Sequence, residues 1–173
     1  MNTHAIIARL ERFPAALHVA VATASAADAR FKPPSGNWSV LEVACHLADE
    51  EVEDFRTRLR FILGRTPGAW PAIDPDGWAR DRRYNEQDPA AVLARFAAER
   101  GKSIDWLRAL PSETDWGLVY QHPKFGPIRA GDLLASWAAH DALHLRQIAK
   151  RFWELAARDA PGFSTAYAGE WKA

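Results

Sequence analysis

Apolar residues recur at helical spacing along most of the chain, and four segments carry that spacing far enough to predict helices. The first covers residues 3–29, where Ile7, Leu10, Phe13, Leu17, Val21 and Ala24 form one stripe and Pro14 is expected to kink or restart the helix. Pro33, Pro34 and Gly36 end it. The second has a capping box at its start, Ser39 followed three residues later by Glu42, with Trp38 and Val43 placed for a hydrophobic staple. Its stripe is Leu41, Ala44, Ala48, Val52, Phe55, Leu59 and Ile62, and Gly64 is its stop. The third opens on Asp88-Pro89, a cap followed by a proline at the first helical position, and runs to Pro111. The fourth spans residues 130–157, with Leu133, Trp137, His140, His144, Ile148, Phe152 and Leu155 facing inward.

Between these segments the pattern weakens. Residues 64–87 hold three prolines and three glycines and read as one long irregular connection, either a wall for a site or a plain tie. Residues 114–129 fit a small hairpin or a loop. Residues 158–173 read as a tail in which Phe163, Tyr167 and Trp171 could dock back. Four amphipathic helices with little strand signal predict an all-α protein, a single helical-bundle domain over residues 1–173.

Composition narrows the function. Lys plus Arg equals Asp plus Glu, so the net charge is zero, which argues against nucleic acid and anionic membrane as partners. One cysteine excludes an intrachain disulfide and fits a reducing compartment. No basic leader with an apolar run opens the sequence, and a cytoplasmic setting is expected. Eight tryptophans predict an aromatic core.

The chemistry concentrates in histidines. His140 and His144 lie four apart on one helix face, where two imidazoles can share one ion. His46, inside the second helix, is a third ligand if the two helices are neighbours. Three histidines suit a divalent transition metal, Zn²⁺ or Ni²⁺, and leave a position open for water or substrate, the catalytic arrangement. The bland alternative is a set of core histidines, each satisfied by one hydrogen bond.

Asp49 and Glu50 are candidates for orienting an imidazole or moving protons, although the run from Asp49 to Asp54 reads mainly as a solvated acidic face. Glu50 is kept as a supporting residue. Gln147, three after His144, could hold that ligand or bridge helices. Cys45 points about 100° away from His46 and reads as a small buried side chain. Ser136, four before His140, could touch it but lacks the rest of a triad. His4, His18 and His122 read as surface or packing residues.

Trp38-Ser39, then His46-Leu-Ala-Asp49 with its acidic run, Gly126-Pro-Ile, and His140-Asp141-x-x-His144-x-x-Gln147-Ile148, taken in order, resemble the DinB/YfiT-like family. That resemblance implies an antiparallel four-helix bundle, up-down-down-up, with a metal at His46, His140 and His144. It implies a homodimer and a thiol-dependent transferase or isomerase, or a hydrolase, acting on a small molecule, with a low-molecular-weight thiol as a cosubstrate. Trp38, Trp137 and the 64–87 connection would shape the pocket. Two other readings stand beside it: a metal- or ligand-binding stress-response module without turnover, and a structural helical dimer.

Overall fold

The structure, a computed structural model, describes residues 1–171; the last two residues of the expected tail, 172 and 173, lie outside the described residues. Helix α1 (Thr3–Ala22) is capped by Asn2, whose side chain accepts from the Ala5 amide at 3.1 Å. It buries Leu10, Phe13, Leu17 and Val21, the expected stripe. The helix passes through Pro14 without interruption and ends seven residues before the expected 29. Its stop is local: Thr23 donates its hydroxyl to the Val19 carbonyl, and Ser25 starts a separate short helix α2 (Ala26–Ala29) by accepting from the Asp28 amide.

Helix α3 (Val40–Glu53) opens on the expected capping box. Ser39 Oγ accepts from the Glu42 amide at 3.1 Å, and Glu42 accepts from the Ser39 amide at 2.8 Å. The predicted single helix to Leu63 is in fact two. Asp54 leaves helical geometry (φ −112°, ψ −92°) and α4 (Phe55–Leu63) follows. Thr57 donates its hydroxyl to the Val52 carbonyl at 2.6 Å, the acceptor an unbroken helix would offer to the amide of residue 56.

The 64–87 connection is irregular, as expected, over residues 64–74, and regular after that. It holds α5 (Pro75–Asp81), capped by Asp74 with Pro75 at the first position, and a 3₁₀ turn over Tyr84–Glu86. Tyr84 is fully buried, and Trp70 stacks on Tyr120 at 4.1 Å, so the connection is pinned at both ends. Helix α6 (Pro89–Arg108) starts at Asp88 as expected. Strands β1 (Val119–His122) and β2 (Gly126–Arg129) form the small antiparallel hairpin, with Tyr120 opposite Ile128. Helix α7 (Ala130–Asp159) leads from it directly.

The long elements α1, α3/α4, α6 and α7 pack as an antiparallel, up-down-down-up four-helix bundle. Helix α3 lies at its centre: every residue from 40 to 51 is buried. The core has two lobes. One joins α1, α3 and α6 and reaches Ile148; the other joins α1, α4, α6 and the first half of α7 through Phe55, Leu134 and Trp137. His140 and His144 lie on α7 between Trp137 and Ile148, at the seam. In the tail Phe163 and Tyr167 face solvent, contrary to the docking expected of them, while Trp171 reaches Trp153 with ring centroids 6.5 Å apart.

Candidate metal centre

Three histidines from two helices meet at the seam. His46 Nε2 lies 3.4 Å from His140 Nε2 and 3.1 Å from His144 Nε2, and the last two are 3.0 Å apart. The α7 pair owes its proximity to the four-residue spacing; His46 is delivered by the packing of α3 against α7. Trp38 covers the His46 ring at 4.7 Å, and Phe55 presents itself to His140 at 4.9 Å.

The donor set fits a transition metal. Ligand atoms about 2.0–2.1 Å from a tetrahedral ion are separated by about 3.3–3.4 Å, close to the distances seen. Hydrogen bonding alone serves this triangle poorly. A neutral imidazole has one N–H, and a ring whose Nδ1 holds that proton presents only a lone pair at Nε2. His144 Nδ1 lies 2.8 Å from Gln147 Oε1, an acceptor, which assigns its proton to Nδ1. Its Nε2 lone pair therefore faces the centre.

Burial supports the same protonation state. It holds His46 down to about 3, with the neighbouring His144 adding to the effect. His140 is held down to about 2 by burial and by His144, His46 and Arg100. Burial lowers His144 as well, against the Gln147 hydrogen bond. Neutral rings at neutral pH are the form that binds cations.

Around this centre the acidic run behaves differently from the solvated face expected. Asp49, Glu50, Glu51 and Asp54 are all buried, because α3 is the central helix and each acid finds a partner inside. Glu50 Oε1 lies 3.8 Å from His46 Nδ1. Burial and the adjacent Asp54 push the Glu50 carboxyl up to about 9, and burial raises Asp54 too. Asp49 points away from the histidines, to Tyr84, Arg82 and Arg95, so it orients no ligand.

Glu51 joins a second cluster. Arg100 Nε pairs with Glu51 at 2.9 Å, its Nη atoms bind both Asp141 oxygens at 2.7 and 2.9 Å, and Nη1 also reaches the Leu10 carbonyl. Burial pushes Asp141 up to about 6 against this pairing. Trp137, expected at the pocket wall, instead stacks on Phe55 at 5.5 Å and donates to Glu51 at 3.2 Å inside the core. Sequence reasoning missed Arg100, Asp141 and Phe55. Asp141 is visible as the neighbour of His140, but its partner lies 41 residues away and no local signal marks it.

The remaining assignments are simpler. Cys45 is buried, 3.6 Å from the Tyr84 carbonyl, and burial pushes its thiol up to about 12. Ser136, His4 and His18 are exposed. His122 serves the hairpin turn, its Nδ1 accepting from the Lys124 and Phe125 amides at 3.1 Å. Among the described residues no helix is long and apolar enough to cross a membrane.

Comparison with known proteins points the same way. Residues 9–148 match the sequence profile of the DinB superfamily. A protein of Oceanobacillus iheyensis, provisionally named a metal-dependent hydrolase, is 30% identical over 115 residues, 66% of this protein and 64% of its own length. The sequence therefore spans just under two thirds of that relative. YfiT of Bacillus subtilis, provisionally given the same activity, is 28% identical over 151 residues, 82% of this protein and 81% of its own length. The solved structure of YfiT, described as a four-helix bundle of unusual topology, superposes with a TM-score of 0.79 at 23% identity, covering 89% of this protein and 87% of the other.

Proposed function

From the premise that the protein belongs to the DinB superfamily, we propose that it is a metal-dependent enzyme acting on a small molecule, most directly a hydrolase. His46, His140 and His144 would hold a divalent transition metal, Zn²⁺ or Ni²⁺. The observation that carries this reading is the triangle of three Nε2 atoms within 3.4 Å, from rings that burial keeps neutral. The provisional naming of both relatives as metal-dependent hydrolases supports it.

A metal held there supplies Lewis acidity, which ionises water or a thiol near neutral pH. The protein's residues supply the frame. Two ligands come from one rigid helix and the third from the buried stretch 40–51 of α3, so the triangle is set before anything binds. Gln147 fixes the His144 ring. Trp38 and Phe55 place apolar surface beside the ligands, which keeps water from competing freely for them.

A second reading has one observation in its favour. The carboxyl nearest the ligands, Glu50, faces Nδ1 of His46 at 3.8 Å rather than the Nε2 atoms that meet at the centre, so it is poorly placed to act as a general base there. A nucleophile that needs only the metal for ionisation suits such a site. A low-molecular-weight thiol attacking a small electrophile, in a transferase or isomerase reaction, is therefore the alternative chemistry. We take the active species to be a cytoplasmic homodimer, which light scattering on purified protein checks.

The deciding experiment is elemental analysis of untagged protein with a parallel screen of hydrolysable esters and amides and of thiol–electrophile pairs. About one metal per protomer, with turnover lost in His144→Ala, supports the proposal. Full turnover in that variant rejects the three-histidine centre as the source of activity, and metal binding without any turnover rejects the enzyme reading in favour of a binding module.

A further inference from the structure

Two buried atoms beside the metal centre have no hydrogen-bond partner: His46 Nδ1 and Glu50 Oε1. They face each other across 3.8 Å, one turn apart on α3. Glu50 hydrogen-bonds through its carboxyl to Asp54. Asp54 Oδ1 in turn pairs with Arg58 Nη1 at 3.0 Å. Residues 46, 50, 54 and 58 thus form a line at four-residue intervals, from the histidine triangle through α3 into α4, and none of these side chains is more than 14% exposed.

An imidazole offers one nitrogen to a metal when the other carries the proton, and that proton in a buried site needs an acceptor. His144 shows the finished arrangement, with its Nδ1 2.8 Å from the Gln147 carbonyl oxygen three residues on. His46 has the same kind of group, one turn on, a few tenths of an ångström beyond hydrogen-bond range. Resting on the metal-centre reading above, we propose that Glu50 is the positioning residue for His46: its Oε1 accepts a hydrogen bond from Nδ1–H, which turns the Nε2 lone pair toward His140 and His144, and the carboxyl is itself anchored by Asp54 and Arg58. The two helices then orient their ligands by one device, a carbonyl oxygen on a side chain one turn downstream.

The device predicts which replacements work. Glutamine at position 50 keeps a carbonyl for His46 and gains an N–H₂ for Asp54, so Glu50→Gln preserves the arrangement. Glu50→Leu keeps the bulk and removes the acceptor. The test combines long-range ¹H–¹⁵N spectra of the histidine rings in metal-free protein with zinc affinity from chelator competition, and circular dichroism reports the fold. Wild type and Glu50→Gln should show His46 as the Nδ1–H form and bind zinc within about threefold of each other. Glu50→Leu should lose that preference and bind zinc about 10–100-fold more weakly.

The Nε2–H form at His46 in wild type, or a Glu50→Leu protein matching wild type in both readouts, overturns the proposal and leaves the metal centre standing. Zinc binding absent from wild type, with a His46 tautomer that still depends on residue 50, removes the metal centre and leaves the Glu50 contact standing. If Glu50→Leu fails to fold, the wild-type spectrum and the Glu50→Gln comparison still decide.

Discussion

Helices α3 and α7 build two buried polar clusters side by side, and the clusters differ in what they leave unsatisfied. Around Arg100 each charge meets an opposite one: two carboxylates and a backbone carbonyl surround the guanidinium and the Trp137 indole donates to Glu51, with Arg100 Nε and Glu51 Oε1 held as an ion pair at 2.9 Å rather than by an aligned hydrogen bond. Around His46, three ring nitrogens converge within 3.4 Å, and the Gln147 contact turns the His144 lone pair toward the same point. A buried cluster that satisfies itself is architecture; one that presents surplus acceptors to a common point awaits a cation. Sequence neighbours serve opposite purposes, as His140 and Asp141 show.

The comparison breaks most visibly at Arg100. Arg100→Met strands Glu51 and Asp141 in the core and should cost about 3–5 kcal/mol in urea unfolding. Adding Glu51→Leu and Asp141→Leu should restore much of that loss. A small effect of the single variant would mean the ion cluster is not a structural unit. On the other side of the comparison, His46→Ala, His140→Ala and His144→Ala should each weaken zinc binding at least about 100-fold, equal to about 2.7 kcal/mol, while leaving the metal-free fold intact by circular dichroism. A histidine variant that binds as wild type does would remove that residue from the ligand set.

The pH response sharpens the contrast. In the metal-free folded protein His140 stays neutral down to about 2, whereas an unfolded histidine protonates near 6.5. Between those values the unfolded state binds the extra proton, so stability contributed at neutral pH is lost as pH falls below 6.5. Glu50 and Asp141 oppose this, since their raised folded pKa values remove stability as pH rises, toward about 9 and about 6 respectively. Comparison with His140→Leu isolates the histidine. From pH 7 to pH 4, wild type should lose on the order of 2 kcal/mol relative to that variant. Parallel unfolding curves at the two pH values would contradict the buried neutral ring.

Much of this architecture is legible in the sequence. The capping box at Ser39 and the Asp88-Pro89 start are local signals, and the structure honours both. The Asp74-Pro75 pair that starts α5 is the same signal, masked by a stretch rich in proline and glycine. The break at Asp54 is hidden because the apolar stripe continues through it; only the Thr57 hydroxyl at the Val52 carbonyl marks the interruption. The histidines, by contrast, are recognisable from their spacing and inward placement. The acids are not, because a charge run reveals nothing of its partners: Arg82, Arg95 and Arg100 come from elsewhere in the sequence, and Arg58, four residues after Asp54, is the one local cation among these four. The smallest expected effect tests that burial directly. Cys45 should resist iodoacetamide at pH 8 in the native state and react on unfolding, since burial holds its thiol near 12; rapid native labelling would show that α3 is more open than described.

The complete burial of residues 40–51 also sets a clock. Amides in such an element meet deuterium only when the whole bundle opens, so α3 should be the last segment to exchange. α7 borders water along Ala139, Ala142 and Leu143 and can open in part while α3 stays closed. The pace at which a bound ion leaves would then be set by breathing of α7, with His46 the last of the three ligands to let go.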